Sequence, residues 1–84
     1  MEQVTVNIVK YGHGFQMDAH VPRMRERLIV KCKTKEKCCK IMKKRLNKLL
    51  GDLFEVTDED FEHLKCDKML TILLVSQNHF AGFT

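Results

Sequence analysis

VTVNIVKYGHGFQMDAHV, residues 4–21, alternates apolar and polar side chains on either side of a YGHG interruption. Successive side chains on a strand point to opposite faces, so Val4, Val6 and Ile8 share one face and Thr5 and Asn7 the other. Phe15, Met17, Ala19 and Val21 repeat the pattern against Gln16, Asp18 and His20. Gly12 and Gly14 stand between the two runs, where a tight turn needs backbone freedom. The stretch predicts a hairpin, and an antiparallel sheet is the starting point for the fold.

Downstream of Pro22 a third strand is expected. Its even positions, Met24, Leu28, Val30 and Cys32, are apolar apart from Glu26, and its odd positions, Arg23, Arg25, Arg27, Lys31 and Lys33, are basic apart from Ile29. One face goes to the core and the other presents a basic row, read as a solvated outer face or an edge guarded by charge. Thr34 then suits an N-cap, Gly51 a C-cap, and the spacing between them predicts a helix from Lys35 to Leu50. Cys38, Cys39, Met42, Leu46, Leu49 and Leu50 fall on its apolar side. Lys37, Lys40, Lys44 and Lys48 fall on the opposite side, with Lys43 and Arg45 at the borders. With the strand's basic row on the far side of the sheet, the two basic sets are expected to form separate surfaces.

Thr57 followed by Asp60 resembles a capping box, with Asp in place of Glu or Gln, and predicts a short acidic helix through Phe61 and Leu64. MLTILLV, residues 69–75, is apolar at nearly every position, the pattern of a central strand covered on both faces. Phe80 and Phe83 in the last nine residues, SQNHFAGFT, are candidates for a second covering layer, and a further copy of the chain or a partner protein is another. The expected fold is a single α+β domain over residues 1–84. It has a small mixed, mainly antiparallel sheet (N-terminal hairpin, third strand, C-terminal central strand) packed on one amphipathic helix, plus the short acidic helix.

Net charge is +4 over 84 residues, but the charge is segregated. Residues 23–48 hold twelve Lys or Arg against two Glu, whereas residues 51–67 hold seven acids against Lys65 alone. A bipolar surface favours local recognition over general attraction to polyanions. No apolar run approaches the roughly 20 residues of a membrane span, and the opening MEQVTVNIVK reads as a strand and not a signal peptide. Together with four cysteines expected as reduced thiols, this gives a cytoplasmic chain that does not engage a membrane.

The lysine stripe carries the functional reading. A helix built only for stability gains from Glu-to-Lys pairs four apart, and here Glu36–Lys40 alone fits. Lys40–Lys44 and Lys44–Lys48 repel instead, each by roughly 0.2–0.5 kcal/mol. Lys35 and Lys37 also sit in the first turn, where the helix dipole disfavours cations. Such penalties make sense if the face Lys37, Lys40, Lys44, Arg45 and Lys48 meets an anionic partner. Lysine supplies point charge instead of bidentate base reading, no aromatic residue interleaves with the basic ones, and no nucleic-acid-binding motif is present. The expectation is a small regulatory protein that docks on the acidic surface of a partner protein as an adaptor or inhibitor. Nucleic acid, bound through its phosphates by the same lysines, is the alternative partner, and a homodimer remains open.

Two further clusters carry groups capable of chemistry. Cys32, Cys38, Cys39, His63 and Cys66 include a tight HLKC spacing, but three of the cysteines fit apolar faces and paired C-x-x-C knuckles are absent. Asp18 and His20 share a strand face, and Asp58, Glu59, Asp60 and Glu62 supply carboxylates, with no nucleophile or phosphate-cradling loop beside them. The reading is therefore of core thiols and helix-start acids, with no enzyme, cofactor or metal site.

Overall fold

The computed structural model describes residues 2–76, and Phe80 and Phe83 lie outside them. The order of elements is β1 (Glu2–Tyr11), β2 (Gly14–Val21), a 3-10 turn (Pro22–Met24), β3 (Glu26–Cys32), α1 (Lys35–Leu50), a second 3-10 turn (Asp58–Phe61) and β4 (Met69–Leu74). The strands form one open sheet in the order β3-β2-β1-β4. All three strand pairings are antiparallel, and the parallel component is an isolated Ile8–Cys66 bridge.

The hairpin forms where the alternation placed it, with Tyr11 opposite Gly14. Gly12 has φ +61 and His13 no positive φ, the pattern of a type II′ turn whose twist suits the strands it joins. Gly14 answers a different need: a Cβ there would stand 2.4 Å from the Cys32 carbonyl oxygen at the end of β3. The third strand begins later than its alternation suggests. Pro22 starts a turn, Arg25 closes it with a left-handed backbone, and Arg23 leaves the basic row altogether. Its Nε and Nη2 instead donate to Glu2 Oε1 at 2.9 and 2.5 Å. Glu2 is 1% exposed, so the guanidinium neutralises a buried carboxylate and pins the turn to the start of β1.

Helix α1 has the expected bounds. The Lys37 amide donates to the Thr34 hydroxyl at 3.1 Å, and the Gly51 amide closes the other end on the Asn47 carbonyl. The helix packs across β2 and β3. Cys38, Met42, Leu46 and Leu50 enter a core with Val4, Val6, Ile8, Met17, Ala19, Val21, Val30, Ile72 and Leu74. Phe54, Val56, Phe61 and Leu64, from the segment after the helix, complete that core. These four residues do covering work that one helix cannot do alone.

Two expectations are corrected. The acidic helix is a single 3-10 turn, Asp58–Phe61, although both halves of its capping box form between Thr57 and Asp60. Four residues without a continuing apolar repeat do not extend into an α-helix. Among the described residues, 69–75 do not form a central strand: β4 pairs with β1 alone and ends the sheet there. Its even positions Ile72 and Leu74 are buried, while Met69 and Leu73 on the outer face are 73% and 59% exposed. An all-apolar run is compatible with either location, and only the pairing of β1 with both β2 and β4 decides it.

Candidate partner-binding face

At 100° per residue, α1 has two charged flanks, and each is identified by what it touches. On one flank Lys43 Nζ meets Asp58 Oδ1 at 3.0 Å. One turn further on, the Asn47 side chain grips the backbone of Val56 twice, with Nδ2 donating to its carbonyl at 3.0 Å and Oδ1 accepting from its amide at 2.6 Å. The acidic segment is thus clamped along this side of the helix. Lys35, in the first turn, donates from Nζ to the Leu64 carbonyl at 2.5 Å, so its unfavourable position for the dipole serves an internal contact.

The other flank faces β3. Arg45 Nη1 donates to the Ile29 carbonyl at 3.4 Å, over the free edge of that strand. Lys37, Lys44 and Lys48 lie on the same side of the helix, all exposed, away from the clamped acids. Arg45 and Lys48 also line a shallow hollow of about 430 Å³ with Leu28 and Leu49. Apolar surface framed by two cations can hold an apolar side chain and the carboxylate of its neighbour together.

Of the five expected face residues, Lys37, Lys40, Lys44 and Lys48 are exposed along the helix, and Arg45 and Lys48 share the hollow with Leu28 and Leu49. Lys40 also lines a second hollow with Lys35, Glu36, Cys39, Asp58 and Phe61, on the acidic side. The basic row of β3 keeps to the outer sheet face, where Arg27 lies with Thr5, Asn7, Asp18 and His20 around an open hollow of about 380 Å³. Because β3 is an edge strand, only its own width separates that row from the helix cations.

An aromatic residue does stand among basic ones. Lys31 Nζ lies 4.4 Å from the centroid of the Tyr11 ring, a cation–π contact. His13, Phe15 and Lys33 share a hollow of about 500 Å³ with them. Tyr11 is distant from the lysine-rich helix in sequence, but as an odd-numbered residue of β1 it belongs to the outer face. Combining the hairpin register with that of β3 is the signal that finds it.

The cysteines diverge. Cys38 is buried, with its thiol 3.8 Å from the Phe15 carbonyl and 4.0 Å from that of Val30. Burial, followed by the neighbouring Cys32, pushes its pKa up to about 11. Burial also raises that of Cys39, so both stay protonated at neutral pH and are poor nucleophiles. Cys66 and His63 are exposed. Among the described residues no three His, Cys, Asp or Glu side chains gather as a metal-binding group. Asp18 accepts from Gln16 Nε2 at 3.1 Å on the outer face, beside His20.

Among the described residues no helix is long and apolar enough to cross a membrane. No protein-family model matches the chain, and comparisons with curated proteins and with solved structures find no match.

Proposed function

We propose that the protein is a small regulatory binding protein, an adaptor or inhibitor, that docks on an acidic segment of a partner protein through the β3-facing flank of α1. Lys37, Lys44, Arg45 and Lys48 supply the charge, and Lys40 contributes at the rim. The observation that carries this reading is the hollow that Leu28 and Leu49 line together with Arg45 and Lys48. Charge alone would suit any polyanion, whereas this combination suits a peptide carrying an apolar side chain next to a carboxylate. Desolvating that apolar contact holds affinity when salt screens the ion pairs.

A second reading is favoured by a specific observation. Tyr11, Lys31, Lys33 and His13 combine a π-face with cations, the chemistry that single-stranded nucleic acid uses. One titration separates the two. Dye-labelled peptides alternating Glu with Leu, an oligoglutamate of equal charge and a single-stranded oligonucleotide are each followed by fluorescence anisotropy at low and physiological salt. The docking reading expects the Glu–Leu peptide to bind best, to keep most of its affinity in salt and to be lost in Lys44→Glu/Lys48→Glu. Oligonucleotide binding that falls by about 0.7 log units per phosphate contact for each tenfold rise in salt, and is lost in Tyr11→Ala, would replace it with the nucleic-acid reading.

A further inference from the structure

The two edges of the sheet are built differently. Edge strands expose unpaired backbone groups and are normally guarded by charge, proline or a covering side chain. The β3 edge has such guards: Arg27 and Lys31 stand on it, and Arg45 caps the Ile29 carbonyl. The β4 edge has none within Met69–Leu74, a segment with no charge, proline or glycine. Its outer-face side chains Met69 and Leu73, followed by Val75 at 69%, are among the most exposed large apolar groups on the molecule.

The direction of the backbone groups follows from one hydrogen bond and the alternation of the ladder. The Ile8 carbonyl accepts from the Asp67 amide, so Ile8 turns its backbone toward the β4 side of β1. By antiparallel alternation Val4 and Val6 do the same, and they stand opposite Ile72 and Leu70. The bonds of β4 to β1 therefore run through its even residues. Met69, Thr71 and Leu73 turn their amides and carbonyls outward, on the same residues that carry the exposed apolar side chains.

We infer that the β4 edge pairs with β4 of a second copy of the chain, antiparallel about a two-fold axis, joining two four-stranded sheets into one of eight strands. The inference is independent of the basic helix flank. Self-pairing is what this strand's charge pattern permits. With Thr71 opposite Thr71, Met69 faces Leu73 of the second copy on each side of the axis, and no like charges meet. The same operation on β3, centred on Ile29, sets Arg27 against Lys31 of the second copy, and like charges directly opposite are destabilising. An isologous contact requires a surface complementary to itself, and only the β4 edge meets that condition.

Sedimentation velocity on the full chain, from low to high micromolar, reads the assembly directly. Amide exchange of Thr71 and Leu73 over the same range reads the edge. Pairing predicts a two-chain species that grows with concentration, with the two amides gaining protection in step. Met69→Lys/Leu73→Lys, which places lysine against lysine on the exposed face, should sediment as a monomer throughout with an unchanged circular dichroism spectrum. Three results would overturn the inference: a native chain that stays monomeric, a dimer that persists in the double-lysine variant, or amides equally protected at every concentration. The first would hand the edge to a strand from another protein, and the last to residues of the same chain.

Discussion

Gly14 shows how one hydrogen atom sets a sheet's geometry. The missing Cβ lets the start of β2 come against the Cys32 carbonyl, and the obstacle is backbone, which cannot rotate away. Gly14→Ala should lower stability by about 2 kcal/mol, within the range for overpacking, as measured by urea unfolding. Gly51→Ala meets only the strain of φ +75 and ψ −149 with open space around it, and should cost about 1–3 kcal/mol. Cys38 supplies a pH signature. Its folded pKa is about 11, above the ordinary thiol value. The folded state therefore holds this proton more tightly than the unfolded one, a contribution present in full below about pH 8.5 and lost as pH rises through the folded value. Stability should fall between roughly pH 9 and 11, and Cys38→Ala should flatten that part of the profile in parallel denaturation curves. At this scale the sequence is legible wherever the reason is local. Thr34, Gly51 and the inward-facing thiol of Cys38 follow from neighbouring residues alone. The specific need for glycine at Gly14 depends on β3, and Arg23 leaves its expected row because Glu2, twenty-one positions away, is buried beside it.

Elements follow the same division. Helix α1 has a cap at each end and a continuous apolar face, so its bounds can be read directly. The acidic turn has the cap and lacks the face, and it stops after four residues. What no periodicity announces is Asn47, whose side chain imitates a backbone partner for Val56 and holds the acidic segment on one flank of the helix. Removing it should loosen that segment. Asn47→Ala should cost about 1–3 kcal/mol, because it leaves the Val56 amide and carbonyl without their partner. In amide exchange the loss should be concentrated at residues 52–61, with α1 itself retained. The same packing gives the lysine stripe an acidic neighbour on one side: Lys40 shares a hollow with Asp58, and Lys44 and Lys48 follow it at four-residue spacing.

At the scale of the whole molecule, sheet order governs which parts hold longest. Among the described residues β1 and β2 each have a strand on both sides, whereas β3 and β4 each have one. Amides of Asn7, Val9, Gln16 and Asp18, which bond between β1 and β2, should therefore exchange slowest, close to the global unfolding limit, and those of Met69 and Thr71 much faster at low protein concentration. An exchange map with β4 as the most protected strand would contradict this. The class, one helix on a mainly antiparallel sheet, could be read from hairpin, strand and cap signals in order. The position of β4 could not, because pairing partners are chosen by three-dimensional closure and not by any property of residues 69–75 alone.

The adjacency of β1 and β4 also has a meaning in time. Glu2 pairs with Leu74, so the first of the described strands to be synthesised takes its second neighbour from the last described element. At roughly 5–20 residues per second, the chain between Tyr11 and Met69 takes about 3–12 s to make. Through that interval hairpin, β3 and helix can assemble, while the row Val4, Val6, Ile8 offers its backbone to whatever strand is nearest. On a polysome, the nearest strand is the same segment of a neighbouring nascent chain, and the slow return of β4 sets how long that competitor has.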